Sequence, residues 1–181
     1  MNASTPLAGT QASIPVLETE RLILRAPEER DLDTLAAFYA SERSHFVGGP
    51  CDRFQSWMRL LGGLGHWALR GYGWWAVECR VSGALAGRVG VVLHEGWDEP
   101  ELGWHIYEGF EGRGYAFEAA SAARRHAAES WGMGPLISYI VAENHRSRAL
   151  AERLGAVVER EGSVVGHPCL VYRHPAAGNA A

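Results

Sequence analysis

The sequence has no excess of positive charge. Its 181 residues include 17 lysines and arginines against 21 aspartates and glutamates, a formal net charge of −4 with neutral histidines. Proteins that bind nucleic acid usually present a basic surface, because contacts to phosphate dominate their affinity. We therefore expect no nucleic-acid partner.

Cysteine is scarce as well. The three cysteines, Cys51, Cys79 and Cys169, are odd in number and far apart, and neither they nor the eight histidines show metal-ligand spacing. This pattern predicts a reducing compartment and no zinc or other metal site.

Long apolar runs are also missing. No segment approaches the ~20 apolar residues of a membrane-spanning helix, and the opening MNASTPLAGTQASIP lacks the basic and apolar regions of a secretory signal. We expect a cytoplasmic protein without a membrane partner. Its length and its 47% of hydrophobic residues suit one globular domain. We place that domain at residues 16–174, between a disordered lead (1–15) and a flexible tail (175–181).

Apolar periodicity and turn residues predict alternating strands and helices. A strand is expected in the apolar run that ends 17–25, and further strands at 74–80, 84–93, 101–107, 136–141, 157–161 and 169–173. Helices are expected at 32–39, from 52 through 61 until Gly71 and Gly73 break the pattern, and at 115–131 and 146–154, with a loop at 44–50. Asp52 and Gln55 form a capping-box pattern, and Gly155 is placed to end the last helix. The order predicts an α+β fold with a mostly antiparallel central sheet and one central βαβ crossover.

Glycines are concentrated in EGFEGRGYAFEA (108–119), between the strand ELGWHIY and a helix. Gly109, Gly112 and Gly114 fall within six residues. A strand, a glycine loop and a helix together direct backbone N–H groups at one point, which suits a phosphate or diphosphate. The spacing G-x-x-G-x-G fits neither Walker A nor the G-x-G-x-x-G dinucleotide fingerprint, which disfavours a nicotinamide dehydrogenase. A plain tight turn is the alternative.

Three stretches together resemble a known superfamily. They are LETERLILR (17–25), ELGWHIYEGFEGRGYAFEA (101–119) and AENHRSRALAERLGA (142–156). In this order and spacing the chain resembles the GNAT acyltransferases, and within them the group related to the RimJ/RimL protein N-terminal acetyltransferases. The resemblance implies a GNAT-like fold whose central strands splay apart to admit acetyl-CoA.

The resemblance also implies which residues bind acetyl-CoA. The glycine loop, read as Q/R-x-x-G-x-G/A, would cradle the diphosphate, while the preceding strand and Asn144 would bind the pantetheine arm. The implied cofactor-binding residues are Trp104, His105, Ile106, Glu111, Gly112, Arg113, Gly114, Tyr115, Ala116, Asn144 and Ser147. Glu111 departs from the family's Gln or Arg, and because an acid repels phosphate we expect its side chain to face solvent.

Acetyl transfer to an amine benefits from a base, since free amines have pKa values of about 8 to 10. Glu101 matches the strand carboxylate that many GNAT enzymes use, often through water; the alternative is a solvated acid at a strand start. His105, on the same strand face, is a proton relay or a structural residue. Ser147 or water is the implied acid, because Ala151 occupies the position where other branches have a tyrosine. Asn144 and Ser147 also suit helix capping.

These features predict an acetyl-CoA-dependent N-acetyltransferase. The acetyl group would move directly, in a ternary complex, to the primary amine of a protein N-terminus or a small molecule. We expect this acceptor near the first two helices, where Trp57, Trp67, Trp74 and Trp75 line a pocket or fill the core. The competing hypothesis is a non-catalytic acyl-CoA-binding or regulatory module with the same fold. A homodimer is compatible with either.

Overall fold

The computed structural model describes residues 13–176, which form one eight-stranded sheet in the order β1-β2-β3-β4-β5-β6-β8-β7. The strands are β1 (Leu17–Glu18), β2 (Leu22–Arg25), β3 (Trp74–Cys79), β4 (Leu85–Val92), β5 (Glu101–Ile106), β6 (Ile137–Ile140), β7 (Val157–Val164) and β8 (His167–Arg173). The α-helices are α1 (Leu32–Ala40), α2 (Arg53–Arg70), α3 (Tyr115–Trp131) and α4 (His145–Arg153). The predicted α+β class is confirmed.

Strand pairing is antiparallel except between β5 and β6, which run parallel and are joined by α3. This is the predicted central βαβ crossover. Two parallel neighbours direct their carboxyl ends to the same edge of the sheet. The residues after β5 and the residues after β6 therefore meet at one edge, and α3 and α4 both begin there.

The segment 17–25 contains two strands, the one predicted in its apolar run and an additional one before it. The segment folds back on itself, so that β1 and β2 pair antiparallel with Leu17 opposite Leu24. Thr19 closes the turn, because its hydroxyl donates to Leu22 O at 3.1 Å and accepts the Leu22 N–H at 3.0 Å. A side chain thus makes a turn that contains neither glycine nor proline.

Two further boundaries differ from expectation. A 3-10 helix, Glu42–Val47, occupies most of the expected loop at 44–50. β7 and β8 are longer than predicted, because a tight turn at Val165 and Gly166 keeps them paired out to Val164 and His167. The capping box at the start of α2 is confirmed, with Asp52 Oδ1 accepting the Gln55 N–H at 2.7 Å.

Helices cover both faces of the sheet. On one face, α3 packs through fully buried alanines, whose small side chains let the helix lie close to the strands: Ala119, Ala120, Ala123 and Ala127, against residues such as Val89 and Leu102. On the other face, α1 and α2 enclose a second cluster of Leu35, Phe38, Tyr39, Leu60 and Tyr107. β5 alternates between these two layers, as its sequence predicts.

The packed chain begins before the predicted boundary at residue 16. Ile14 packs against the main core, and Pro15 O accepts a 2.8 Å hydrogen bond from Trp75 Nε1. The rest of the predicted lead (1–12) and most of the predicted tail (177–181) lie outside the described residues. Within residues 13–176, no helix combines the length and the apolar character needed to cross a membrane.

Candidate active site

The centre of the sheet opens between β5 and β6. Across residues 13–176, the two strands are in register at a single pair, Glu101 with Ile137, after which they separate. β6 continues along β8 instead, through residue 140. The opening widens toward the edge where α3 and α4 begin, and it is the splayed cleft that the sequence resemblance implies.

Two side chains take over the backbone pairing where the strands part. A continued parallel ladder would join the Tyr139 N–H to Leu102 O. Instead, Glu101 Oε1 accepts the Tyr139 N–H at 3.1 Å, and the Ser138 hydroxyl donates to Leu102 O at 2.6 Å. The imidazole of buried His174 lies 2.9 Å from the same hydroxyl. These contacts form the closed end of the cleft.

The free backbone groups of the cleft belong to even-numbered residues of β5. Tyr107 N–H donates to Ala86 O at 2.9 Å, so odd-numbered residues bond to β4 and even-numbered ones face β6. The N–H and C=O groups of Trp104 and Ile106 therefore face the cleft. The prediction that the His105 backbone binds the cofactor is wrong. Its backbone pairs with Arg88 of β4 and points away from the opening.

The glycine loop lies at the mouth of the cleft. Gly109, Gly112 and Gly114 have φ angles of 82°, 70° and 79°, a left-handed conformation that side chains resist, which explains the cluster of glycines. Gly114 is the N-cap of α3 and offers no side chain to cap it. Within the described chain, the N–H groups of Tyr115, Ala116 and Phe117 have no hydrogen-bond acceptor. They are donors available to an anion.

The β1–β2 turn holds the glycine loop in place through Glu118. Glu118 accepts hydrogen bonds from the Thr19 hydroxyl at 2.6 Å, from the Arg21 N–H at 2.8 Å and from Arg21 Nε at 2.6 Å. Arg21 also donates to Arg113 O at 2.8 Å. Burial would raise the pKa of Glu118, but these hydrogen bonds outweigh it and lower that pKa. The LETER segment (17–21) therefore stabilises the glycine loop and the start of α3.

Glu111 does not face open solvent, contrary to expectation. It forms an ion pair with Arg43, from the 3-10 helix between α1 and α2. Arg43 also donates to Ile106 O at 3.1 Å, one of the carbonyls that faces the cleft. Arg43 thus neutralises the acid of the glycine loop and links that loop to the acceptor side. The Arg113 side chain is exposed and lies over Phe110.

On the opposite side of the mouth, α4 begins at Asn144. Its side-chain oxygen accepts the Ser147 N–H at 3.2 Å, so Asn144 is the N-cap and Ser147 lies inside the first turn. The Ser147 hydroxyl is half-buried and makes no hydrogen bond to the described residues. Ala151 is fully buried against Ile140 and Tyr172. Residue 151 therefore has no side chain that could donate a proton, whereas the Ser147 hydroxyl makes no hydrogen bond within the described chain.

Among the predicted site residues, Glu101 has the environment best suited to a base. The residue as a whole is half-buried, but its carboxyl is enclosed by neighbouring atoms. Burial raises the pKa of Glu101 to about 8, and the hydrogen bond from the Tyr139 N–H opposes this only in part. A carboxylate with a pKa near that of an amine suits proton transfer from an amine. The alternative of a solvated strand-start acid does not match this position.

His105 is structural rather than a relay. Its Nδ1 accepts a hydrogen bond from Arg88 Nε at 2.9 Å, so a neutral ring carries its proton on Nε2. Burial, followed by the positive charges of Arg88 and Arg59, holds the pKa of His105 well below its ordinary value. An imidazole with this partner does not accept a proton near neutral pH.

The tryptophans of the first half divide between core and pocket. Trp67 and Trp75 are fully buried, whereas half-buried Trp74 lines a cavity of about 30 Å³ between the sheet and α1–α2. Among residues 13–176, His, Cys, Asp and Glu side chains form no group of three or more that could hold a metal ion.

Comparison with known proteins decides the family. A family model described as an acetyltransferase (GNAT) domain matches residues 21–157. The chain belongs to the GNAT acetyltransferase family. An acetyltransferase from Agrobacterium tumefaciens str. C58 is 38% identical to this GNAT chain, with 96% of this chain and 99% of that one covered and a TM-score of 0.84.

Two further solved structures share the GNAT fold. A putative GNAT-family acetyltransferase from Bordetella pertussis is 27% identical over 90% of this chain and 100% of that one, with a TM-score of 0.77. RimL, a ribosomal L7/L12 alpha-N-protein acetyltransferase in complex with coenzyme A, is 18% identical over 90% and 98%, with a TM-score of 0.75. At the level of the fold, the predicted likeness to the RimJ/RimL group is confirmed.

Sequence reasoning missed the arginines of this GNAT site. Arg21, Arg43, Arg59 and Arg88 come from four different elements and meet their partners only in the folded chain. The signal for Arg21 lay in the LETER segment itself. For the other three we find no local pattern that marks them.

Proposed function

We propose that this GNAT protein is an acetyl-CoA-dependent N-acetyltransferase that transfers an acetyl group directly to a primary amine in a ternary complex. The cleft between β5 and β6 carries this proposal. It combines free backbone groups along one wall, a glycine loop at its mouth and a carboxyl of raised pKa at its closed end.

The residues of the cleft fit acetyl-CoA. The amides of Tyr115, Ala116 and Phe117, at the positive end of α3, suit the diphosphate. The N–H and C=O groups of Trp104 and the N–H of Ile106 suit the amides of the pantetheine arm, while Ile106 O already accepts a hydrogen bond from Arg43. Bound there, acetyl-CoA supplies an acetyl group activated as a thioester. The coenzyme A in the RimL structure supports this assignment.

Two side chains handle the protons. Glu101 accepts a proton from the attacking amine, directly or through water, as the new N–C bond forms and the C–S bond breaks. The Ser147 hydroxyl, or water, returns a proton to the departing sulfur. Asn144 orients the start of α4 and thereby Ser147. We further propose a cytoplasmic location, which is consistent with three free cysteines.

The acceptor is a protein N-terminus or a small-molecule amine. The ribosomal-protein substrate named for RimL supports the first, and the small cavity beside Trp74 supports the second. A non-catalytic acyl-CoA-binding module is the second candidate function. It is favoured by Glu111 in the glycine loop and by the alanine at residue 151.

An amine and N-terminal-peptide screen tests the proposal. Purified protein is incubated with acetyl-CoA and each acceptor, and release of the free thiol is followed together with the mass of the product. We expect at least one acetylated amine. Tight acetyl-CoA binding with no thiol release from any acceptor would instead support the non-catalytic module.

The cofactor assignment has its own test, Gly114→Asp. The new side chain blocks the approach of an anion, and its charge repels phosphate, so coenzyme A binding measured by calorimetry should largely vanish. Gly96→Asp is the matched control, because Gly96 has the same left-handed backbone (φ 83°) in another loop. Unchanged affinity in a folded Gly114→Asp protein overturns the assignment.

A further inference from the structure

A pair of arginines lies outside the cleft, on the face of the sheet that α1 and α2 cover. Arg59 extends from α2 and Arg88 from β4, and both rest on the ring of Tyr39, with Cζ 4.6 Å and 5.4 Å from its centroid. Arg88 also lies over Trp74, at 4.3 Å. Two cations therefore share one aromatic surface, and neither is fully exposed.

Neither arginine has an acidic partner. Arg88 donates to His105 Nδ1 and to the Tyr39 hydroxyl, and Arg59 donates to Gly48 O at 2.7 Å, all of them neutral groups. No carboxylate of residues 13–176 lies within 4.0 Å of either guanidinium. Two half-buried charges of one sign that line one cavity without a counter-ion favour the binding of an anion.

The nearby acid is already engaged. Asp31 lines the same cavity, but its two carboxylate oxygens accept hydrogen bonds from Arg25 at 2.7 Å and 2.8 Å. The Glu28 N–H adds a third, at 2.8 Å. Asp31 is therefore paired with Arg25 and is not an ion-pair partner of Arg59 or Arg88.

The cavity has the size of a small polar group. It measures about 30 Å³ and is lined by Arg59, Arg88, Trp74, Leu60 and Tyr107 among others. That space holds one or two water molecules. A planar carboxylate matches this space and also matches the fork of N–H donors on a guanidinium. A phosphate, which is larger and carries more charge, fits less well.

We propose that Arg59 and Arg88 form a carboxylate-binding subsite, so that the acceptor of this protein is an amine that also carries a carboxylate. The inference rests on the proposed acetyl transfer and names its substrate class. The aromatic rings of Tyr39 and Trp74 hold the two guanidinium groups in place, and the Nε2–H of His105 is a further donor on the same strand face.

The positions of the two sites set the length of the acceptor. Arg88 is paired with His105, which lies four residues after Glu101 on the same face of β5. Four residues of strand span about 13 Å. An extended peptide covers about 3.3 to 3.6 Å per residue. An amine near Glu101 and a carboxylate near Arg88 are therefore spanned by three or four residues that pass over the ring of Trp74, which covers Gly103.

Oligoglycines of two to five residues test this geometry, each compared with its C-terminal amide. With wild-type protein and acetyl-CoA, we expect kcat/KM to peak at three or four residues for the free acids. The amides should react more slowly, about 30- to 100-fold for the best length, the range of a hydrogen-bonded charge contact. Equal kcat/KM for acid and amide overturns the subsite.

Substitutions separate recognition from structure. Arg88→Gln and Arg59→Gln should each lower kcat/KM for the acids much more than for the amides, because only the acids use the guanidinium. Arg70→Gln, at the exposed end of α2, is the matched control and should alter neither. Equal losses for acids and amides would show a structural role and overturn the proposal. Preference for an aminoalkylphosphonate over the carboxylate of equal length would overturn the choice of carboxylate.

Binding without turnover distinguishes failure of the subsite from failure of the proposed function. Triglycine and triglycinamide are titrated against the protein with coenzyme A present, and tryptophan fluorescence is followed, with Trp74→Phe identifying the signal of Trp74. Binding of triglycine that Arg88→Gln abolishes supports the subsite even if no acetyl transfer occurs. Acetyl transfer to amines with no preference for a carboxylate retains the function and removes the subsite.

Discussion

At the scale of single residues, burial sets the charge of the groups that matter most. Glu101 lies at the closed end of the cleft with a pKa raised to about 8, so its carboxyl is largely protonated at neutral pH. A few residues along the same strand, His105 is held neutral by Arg88. The same strand thus carries Glu101, the proton acceptor that we propose, and His105, whose neutral ring donates a hydrogen bond from Nε2.

Glu101→Gln should slow acetyl transfer while preserving acetyl-CoA affinity. Gln retains the shape and the contact to Tyr139 but loses the basicity, so we expect a rate lower by about 10²–10⁴-fold. In the ratio of wild-type to variant kcat/KM, the effect of acceptor ionisation cancels because it is the same for both proteins. This ratio should rise with pH up to about 8 and then level, as the Glu101 carboxyl loses its proton.

The measurement is kcat/KM against pH for both proteins with one accepted amine. Full activity of Glu101→Gln across the range would leave water as the base. A raised KM with an unchanged pH profile would assign Glu101 to positioning of the acceptor.

Glu111→Gln should tighten coenzyme A binding. The change removes a negative charge from the loop that faces the diphosphate and releases Arg43 as an unpaired cation. We expect about a threefold to tenfold gain by calorimetry, and a loss for Arg43→Met, since about 1 kcal/mol separates such states near a surface. Asp33→Asn breaks the exposed pair with Arg53 and is the control. Equal affinities in all variants would mean that Arg43 and Glu111 lie outside the cofactor site.

At the scale of elements, the glycine loop depends on a turn that is distant in sequence. The loop supplies the left-handed backbone, and α3 supplies the free amides, but the β1–β2 turn fixes both through Glu118. Separate elements must therefore be in place before the N–H groups converge. A correct loop sequence on its own does not complete the anion site.

Glu118→Gln should weaken coenzyme A binding without unfolding the protein. An amide keeps at most part of the contacts with Thr19 and Arg21, and the loop gains freedom that binding must remove. We expect a loss of about tenfold, the size of one charged hydrogen bond. Glu18→Gln, which breaks only the surface pair with Arg80, is the control measured by the same calorimetry. A folded Glu118→Gln protein with wild-type affinity contradicts the anchoring role.

Local patterns predicted most elements and missed the contacts between them. Periodicity, the capping box at Asp52 and the glycine cluster are all properties of neighbouring residues, and each was found in the structure. The turn at Thr19 was missed, because its stability comes from a hydroxyl and from Glu118, 99 residues away. The pairs of Arg43 with Glu111 and of Arg88 with His105 were missed for the same reason, since no local spacing records them.

At the scale of the whole molecule, most of the groups with shifted pKa values lower the free energy of unfolding in acid. Burial leads the lowering of the pKa values of His94, His105, His126 and His174, the last to about 4. As pH falls below 6.5, these histidines bind protons in the unfolded chain but remain neutral in the native state. The free energy of unfolding therefore decreases. Hydrogen bonds from Arg173 lower the pKa values of Glu99 and Glu159, so the loss of stability continues below pH 4.5. Glu101 opposes this, because its raised pKa removes stability as pH rises from 4.5 to 8.

The free energy of unfolding should therefore fall steadily from pH 6.5 to pH 4. His174 alone contributes a slope of about 1.4 kcal/mol per pH unit in that window. His174→Gln, which can still donate to Ser138, should reduce the slope by that amount in urea titrations at a series of pH values. His167→Gln, at an exposed position, is the control. An unchanged slope in His174→Gln would remove His174 as a source of acid sensitivity.

The closed end of the cleft has a consequence for how such proteins diverge. Where pairing between the two central strands stops, the Ser138 hydroxyl donates to Leu102 O and Glu101 Oε1 accepts the Tyr139 N–H, contacts made by side chains and not by the sheet itself. In the acetyl transfer that we propose, the acyl group points toward this closed end, so residue 138 helps to set the depth available to it. A substitution there can shift the acyl donor that a descendant accepts, while strand order, helices and glycine loop remain as they were.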